Sequence, residues 1–230
     1  VKKEYNIDVI LKHNDLSSIT KEGNGIDSVR FLNSCLSSYQ GTLYKEDIYY
    51  PVDIEHYAKG SGISMGNALT ELVELATFYK ETTIKVDLAN RSTWHTSLIY
   101  DFIVNKEDNT LVIQWNKKVI PLISGKMPKG TFSYYNRKMD YVPNKKRYLM
   151  YELLSSTLHT FAVMEVKRLS LFTIREALAL EDTEYLEFRE LNRRIIQPTV
   201  VDIYKILGVE ITAKWSRKYK CLEVRREGLG

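Results

Sequence analysis

The stretch Glu184-Tyr185-Leu186-Glu187-Phe188-Arg189-Glu190-Leu191-Asn192-Arg193-Arg194-Ile195-Ile196-Gln197-Pro198 decides how this chain is read. Phe188, Leu191 and Ile195 recur at i, i+3 and i+7, the spacing of a stripe that faces a core. Arg189, Asn192, Arg193 and Gln197 fall on the neighbouring face at i, i+3, i+4 and i+8. The pattern predicts a long amphipathic helix that begins near Glu184 and is ended by Gly208. Pro198 lies inside it. A proline there removes a hydrogen bond and costs about 3 kcal/mol, so the helix is expected to kink or to start a new segment at that point.

Working outward, Ser170 or Thr173 caps a preceding helix through Leu180, and Glu181-Asp182-Thr183 makes the turn. Two strands, Val209–Trp215 and Tyr219–Arg225, follow Gly208. Helix, tight turn, helix and β-hairpin is the order of a winged helix-turn-helix. The same order occurs earlier in the chain. A short edge strand around Ile48–Val52, with Pro51 near its end, precedes a helix over Asp53–Ala58. Gly60-Ser61-Gly62 stops that helix, and a second runs from Ser64 to about Thr77. Strands over Thr82–Asp87, Trp94–Val104 and Thr110–Trp115 come next. Asp53–Asp87 therefore aligns with Thr173–Trp215 as an internal structural repeat.

One further helix, Ile26 to Tyr39, precedes the repeat, and another, about Lys145 to Thr157, joins its two copies. The expected fold class is α+β, with two tandem winged-helix domains joined by a helix. The expected domains are 1–157, with a role in dimerisation and backbone contact, and 158–230, the recognition domain.

Composition bounds the rest. A chain of 230 residues that is 44% hydrophobic and 27% charged buries one large core or two modest ones. Its apolar runs are too short to span a membrane, and its polar start, Val1-Lys2-Lys3-Glu4, offers no stretch long enough for a signal peptide. A cytoplasmic location is expected. Cys35 and Cys221 stand far apart without metal spacing and read as buried free thiols.

The net charge of +4 is carried entirely by residues 144–230, because residues 1–143 balance 17 basic against 17 acidic groups. Lys126, Lys129, Arg137, Lys138, Lys145, Lys146 and Arg147 form a dense basic stretch relieved only by Asp140. Clustering of this kind is the footprint of a polyanionic partner, although a solvated basic face has the same composition.

Guanidinium forks and amides on one helical face match the paired hydrogen-bonding edges of guanine and adenine in the major groove. Arg189, Asn192 and Arg193 are the expected base readers of double-stranded DNA. Arg194 stands beside them, in reach of a phosphate, and Tyr185 and Gln197 are further candidates. Lys214, Arg217, Lys218 and Lys220 flank the turn of the last hairpin, where cations meet the DNA backbone. In the first copy the second helix opens Ser64-Met65-Gly66-Asn67-Ala68-Leu69-Thr70-Glu71, with no basic residue. That copy is expected to position the backbone, through Lys126, Lys129, Lys145, Lys146 and Arg147, or to contact protein.

Catalysis has no comparable signal. His13, His56, His95 and His159 are scattered and form no metal-binding pair. Asp87 and Asp101 are isolated, so no two-metal carboxylate site is expected, and no glycine-rich phosphate loop with Lys-Ser or Lys-Thr is present. The chain is therefore expected to be no enzyme and to need no cofactor or metal.

The segment Glu184 to Trp215, with Tyr185, Phe188, Leu191-Asn192-Arg193-Arg194-Ile195-Ile196-Gln197-Pro198 and Ile203, resembles the second winged helix of iteron-binding plasmid replication initiators. Leu111-Val112-Ile113-Gln114-Trp115-Asn116 and Tyr148-Leu149-Met150-Tyr151-Glu152-Leu153-Leu154 are similar to late elements of that family's first winged helix. The likeness covers roughly residues 48–227. The family's wing turn usually contains glycine, whereas here it reads Ser216-Arg217-Lys218-Tyr219. The resemblance implies binding to directly repeated origin sites, local duplex opening, recruitment of host initiator and helicase, and self-repression as a homodimer. It also implies base reading by Arg189, Asn192 and Arg193, with Arg194 a further candidate. Two alternatives use the same elements: a transcriptional repressor, and an assembly protein whose winged helices bind protein.

Overall fold

The computed structural model describes residues 9–13, 25–37, 47–87, 93–124, 132–158 and 166–227. Mixed helices and small antiparallel sheets divide into two compact units, Val1–Tyr141 and Val142–Gly230.

In the first unit, β1 (Val9–His13) pairs antiparallel with β7 (Phe132–Asn136), far away in sequence. Helix α1 (Gly25–Ser37) buries Val29, Phe31, Leu32, Cys35 and Leu36. The order that follows is β2 (Tyr49–Pro51), α2 (Ile54–Ser61), α3 (Met65–Glu81), a hairpin of β3 (Ile84–Asp87) and β4 (Thr93–Thr96), then β5 (Ile99–Asn105) and β6 (Thr110–Trp115). Asp53 starts α2 by accepting the His56 N–H at 3.1 Å. Gly62 ends it at φ 70°, in the left-handed region that a Cβ disfavours. Ser64 then caps α3 through the Asn67 N–H at 3.3 Å. Along α3, Ala68, Leu69, Leu72, Leu75, Ala76 and Tyr79 form the buried stripe, and Phe31 stacks on Tyr79 with ring centroids 5.4 Å apart. A short helix, α4 (Ile120–Ile123), follows β6.

The sheet order is β2-β6-β5, which leaves β2 with Pro51 at an edge, where a missing N–H costs no ladder bond. The single strand expected over Trp94–Val104 is broken in two. Leu98 is fully buried; its N–H donates to the Tyr79 carbonyl at 3.1 Å and its own carbonyl accepts from Asn116 at 3.2 Å. These bonds draw the chain out of one ladder before it enters the next.

The second unit comprises α5 (Lys145–Leu158), β8 (Lys167–Ser170), α6 (Leu171–Ala177), α7 (Phe188–Leu191), a π-helical turn (Asn192–Ile196), α8 (Gln197–Leu207), β9 (Ile211–Ser216) and β10 (Cys221–Arg226). Its sheet order is β8-β10-β9. Relative to their own elements, both three-stranded sheets thus place the strand before the helix pair beside the last strand of the hairpin. The domain boundary expected at 157/158 lies instead between Tyr141 and Val142. Helix α5 belongs to the second unit because it packs on α6, the π turn and α8, burying Tyr148, Leu149, Met150, Tyr151 and Leu154. No described helix is long and apolar enough to cross a membrane.

Candidate nucleic-acid interface

The helix expected from Glu184 starts four residues later. Tyr185 stands at φ 46°, and Arg175 donates to the carbonyls of Glu181, Glu184 and Tyr185 at 2.6, 2.8 and 3.3 Å. These bonds fix the turn between α6 and α7 as a left-handed corner, so Tyr185 lies off the helix. Lys146 lies over its ring, 5.5 Å from the centroid.

Pro198 marks the start of a new helical segment, as expected. It sits at the start of α8, just after the π turn, where the Gln197 N–H reaches back to the Asn192 carbonyl. A proline ring crowds the carbonyl four residues before it, and a wider turn relieves that crowding while the helix continues. Leu191, Ile195, Ile196 and Ile203 are buried, Gly208 closes the stretch at φ 67°, and Phe188 packs on Trp215 with centroids 4.1 Å apart. The expected core stripe is in place.

On the outer side, Arg189, Arg193, Arg194 and Gln197 are exposed and Asn192 is half-buried. Arg189 has no ion-pair partner among the described residues. Arg193 and Arg194 share one: Glu190 Oε2 accepts from Arg193 Nη2 at 3.0 Å and from Arg194 Nε at 2.8 Å. Those bonds, Arg193's first, hold the Glu190 carboxyl below its usual range and raise Arg193 above its own. With the arginine side chains more than 60% exposed (64% and 61%), these are screened pairs that another anion can displace. Gln197 is engaged differently. Its Nε2 donates to Asn192 Oδ1 at 3.2 Å and to the Ala213 carbonyl of β9 at 2.9 Å.

The wing is the hairpin of β9 and β10, and Lys214, Arg217, Lys218, Tyr219 and Lys220 on it are all exposed. Lys220 takes a left-handed position in the wing turn, at φ 48°. Sequence reasoning missed Arg168. This β8 residue stacks its guanidinium 3.8 Å from the Tyr219 centroid and donates to Glu223 Oε1 at 3.1 Å, directly across the ladder. The alternating run Lys167-Arg168-Leu169-Ser170 was the available signal, and only the pairing of β8 with β10 connects it to the wing.

The basic stretch of residues 126–147 spans both units. Lys126 and Lys129 lie outside the described residues. Arg137 is buried and paired with Asp53 at 2.8 Å, while Lys146 pairs with Glu184 and Arg147 with Asp202. Burial pushes the Lys145 ammonium down, and neighbouring Lys146 adds to the shift. Three of these cations therefore stabilise their own units. In the first unit, the opening turns of α3 present Met65, Gly66, Asn67, Thr70 and Glu71, with no cation. Among the described residues no group of three or more His, Cys, Asp or Glu side chains is arranged to hold a metal.

Nearly the whole chain shares its fold with a solved initiator protein. That structure is the Pi initiator protein in complex with iteron DNA; the two superpose with a TM-score of 0.74 over 96% of this chain and 97% of that one, at 14% identity. At that identity the likeness is one of fold. No protein-family model and no curated protein sequence matches the chain.

Proposed function

We propose that this protein is a sequence-specific double-stranded DNA-binding replication initiator of a plasmid or mobile element, built from two winged helices in tandem. The observation that carries the reading is the face formed by exposed Arg189 and Arg193 with half-buried Asn192, set on a helical stretch beside a cationic wing. The fold likeness to an initiator complexed with iteron DNA supports it.

In this reading the stretch 188–197 enters the major groove. Arg189 and Arg193 present forks suited to guanine, Asn192 presents an amide suited to adenine, and Arg194 reaches a phosphate. Lys214, Arg217, Lys218 and Lys220 contact the backbone through the wing. The first unit contributes positioning or dimer contacts. Binding to repeated origin sites, host initiator and helicase recruitment, and self-repression complete the proposal.

Two experiments test it. Mobility-shift titration across salt is expected to give a falling log affinity with log salt for duplex DNA; salt-independent behaviour with every duplex would remove the DNA reading. A plasmid carrying the selected site is expected to replicate only when the protein is supplied. Binding without replication leaves a repressor.

A further inference from the structure

Gln197 occupies a place that the α-helical wheel does not give it. In a regular α-helix, residues five apart lie about 140° away from each other round the axis. Here the π turn sets Gln197 over Asn192, so that its backbone N–H bonds the Asn192 carbonyl and its side chain bonds the Asn192 Oδ1. The same Nε2 donates to the Ala213 carbonyl, which belongs to the wing strand β9. An amide nitrogen has two hydrogens, and both are used. Asn192 is thereby held with its oxygen toward Gln197 and its own NH2 directed by that bond, with one oxygen lone pair still open.

We infer that Gln197 is a positioning residue for DNA reading: it fixes the orientation of the Asn192 amide and locks it to the wing strand, and it does not itself read a base. The inference rests on the proposed DNA-reading function. Its physical content is that an asparagine reads adenine by donating and accepting at once, so a freely flipping amide discriminates poorly. Pro198 belongs to the same device, because the π turn that precedes it is what brings positions 192 and 197 together.

The test is selection of bound duplexes from a random pool by the full chain, with Arg193→Ala, Asn192→Ala, Gln197→Met and the Asn192→Ala/Gln197→Met double variant alongside. Met keeps the length of Gln197 without its donors, and the side chain is exposed, so folding is expected to survive; thermal melts verify this, and Gln197→Glu serves as a second variant without donors. Asn192→Ala and Gln197→Met are expected to lose preference at the same base pair, each on the order of tenfold, and the double variant is expected to lose no more. Because Gln197 is uncharged, the salt slope is expected to hold. Loss at a different base pair, with additive loss in the double variant, makes Gln197 a reader and overturns the inference. A wild-type profile for Gln197→Met, with Arg193→Ala altered, also overturns it while leaving the DNA reading intact. Failure of the wild-type chain to enrich any duplex removes both.

Discussion

The two units repeat one arrangement, strand, helix pair and hairpin with the sheet closed in the same order, and they spend their charges in opposite ways. In the first unit a polar cluster turns inward. Asp140 is fully buried; its Oδ1 accepts from Asn33 at 2.6 Å, its Oδ2 lies 3.0 Å from His56 Nε2, and its carbonyl accepts from Arg30 at 2.9 Å. In the second unit the Glu190, Arg193 and Arg194 cluster has a similar number of bonds but sits in water. The same order of elements therefore holds a desolvated polar cluster in one unit and a solvated one in the other. The difference lies in which side chains are desolvated.

The comparison can be broken most directly at Asp140. Asp140→Ala removes the acceptor of buried donors on two helices, and each orphaned donor costs about 1–3 kcal/mol, so a loss of about 3 kcal/mol in unfolding stability is expected by urea titration. Glu190→Ala is expected to leave the unfolding midpoint where it is, because water replaces the carboxylate for both arginines. Equal shifts for the two variants would mean that burial does not separate the units. Binding reverses the ranking. Arg193→Ala is expected to weaken cognate duplex about ten- to a hundredfold and relax preference at one base pair, measured by competition titration. Asp140→Ala, assayed well below its melting point, is expected to leave that preference alone.

How far these properties were legible in the sequence depends on the range of the interaction. Asp53, Gly62 and Ser64 act within one turn of chain, and the helices they bound lie where the pattern puts them. The stripe Leu191 and Ile195 was readable from spacing for the same reason. What escaped was set by distant partners. Strand β1 exists because Phe132–Asn136 lies against it, and α5 joins the second unit because of α8 and Asp202. Arg189, Asn192 and Arg193 were readable as a helical face from their spacing. The role of Gln197 was hidden, since a wheel drawn at constant pitch cannot contain a π turn. The pairing within the basic run of residues 126–147 was not legible, because composition counts a cation without seeing Asp53 or Asp202 beside it.

A smaller effect sharpens the contrast within the second unit. Lys218 stands on the exposed wing turn, 5.1 Å from the Tyr219 centroid, and is expected to touch phosphate rather than base. Lys218→Ala should weaken all duplexes by a similar few-fold factor and reduce the slope of log affinity against log salt by about 0.9. A sequence-dependent loss would place the wing among the readers, and the division between helix and wing would fail.

The smallest expected effect concerns acid, and it tests whether an exposed pair in the first unit contributes to its stability. Asp101 on β5 accepts from Lys80 of α3 at 2.7 Å and from the Tyr49 hydroxyl at 2.8 Å. The Lys80 bond first, then Tyr49 and the Phe102 N–H, hold its carboxyl down at about 2. A folded value below the unfolded one stabilises the native state above the unfolded value, near about 4, and that contribution disappears as pH falls toward about 2. The side chains are largely in water, so the effect should be slight and should shrink further in high salt. Urea midpoints followed from pH 5 to 2, a window chosen to span both values at about one unit's margin, are expected to fall less steeply in Asp101→Asn than in the wild type. The Tyr49 and Lys80 contacts tie the edge strand β2 and helix α3 to β5, so the difference should appear in the unfolding of the first unit. Identical acid profiles would leave the surface pairs of the first unit as inert as those of the second.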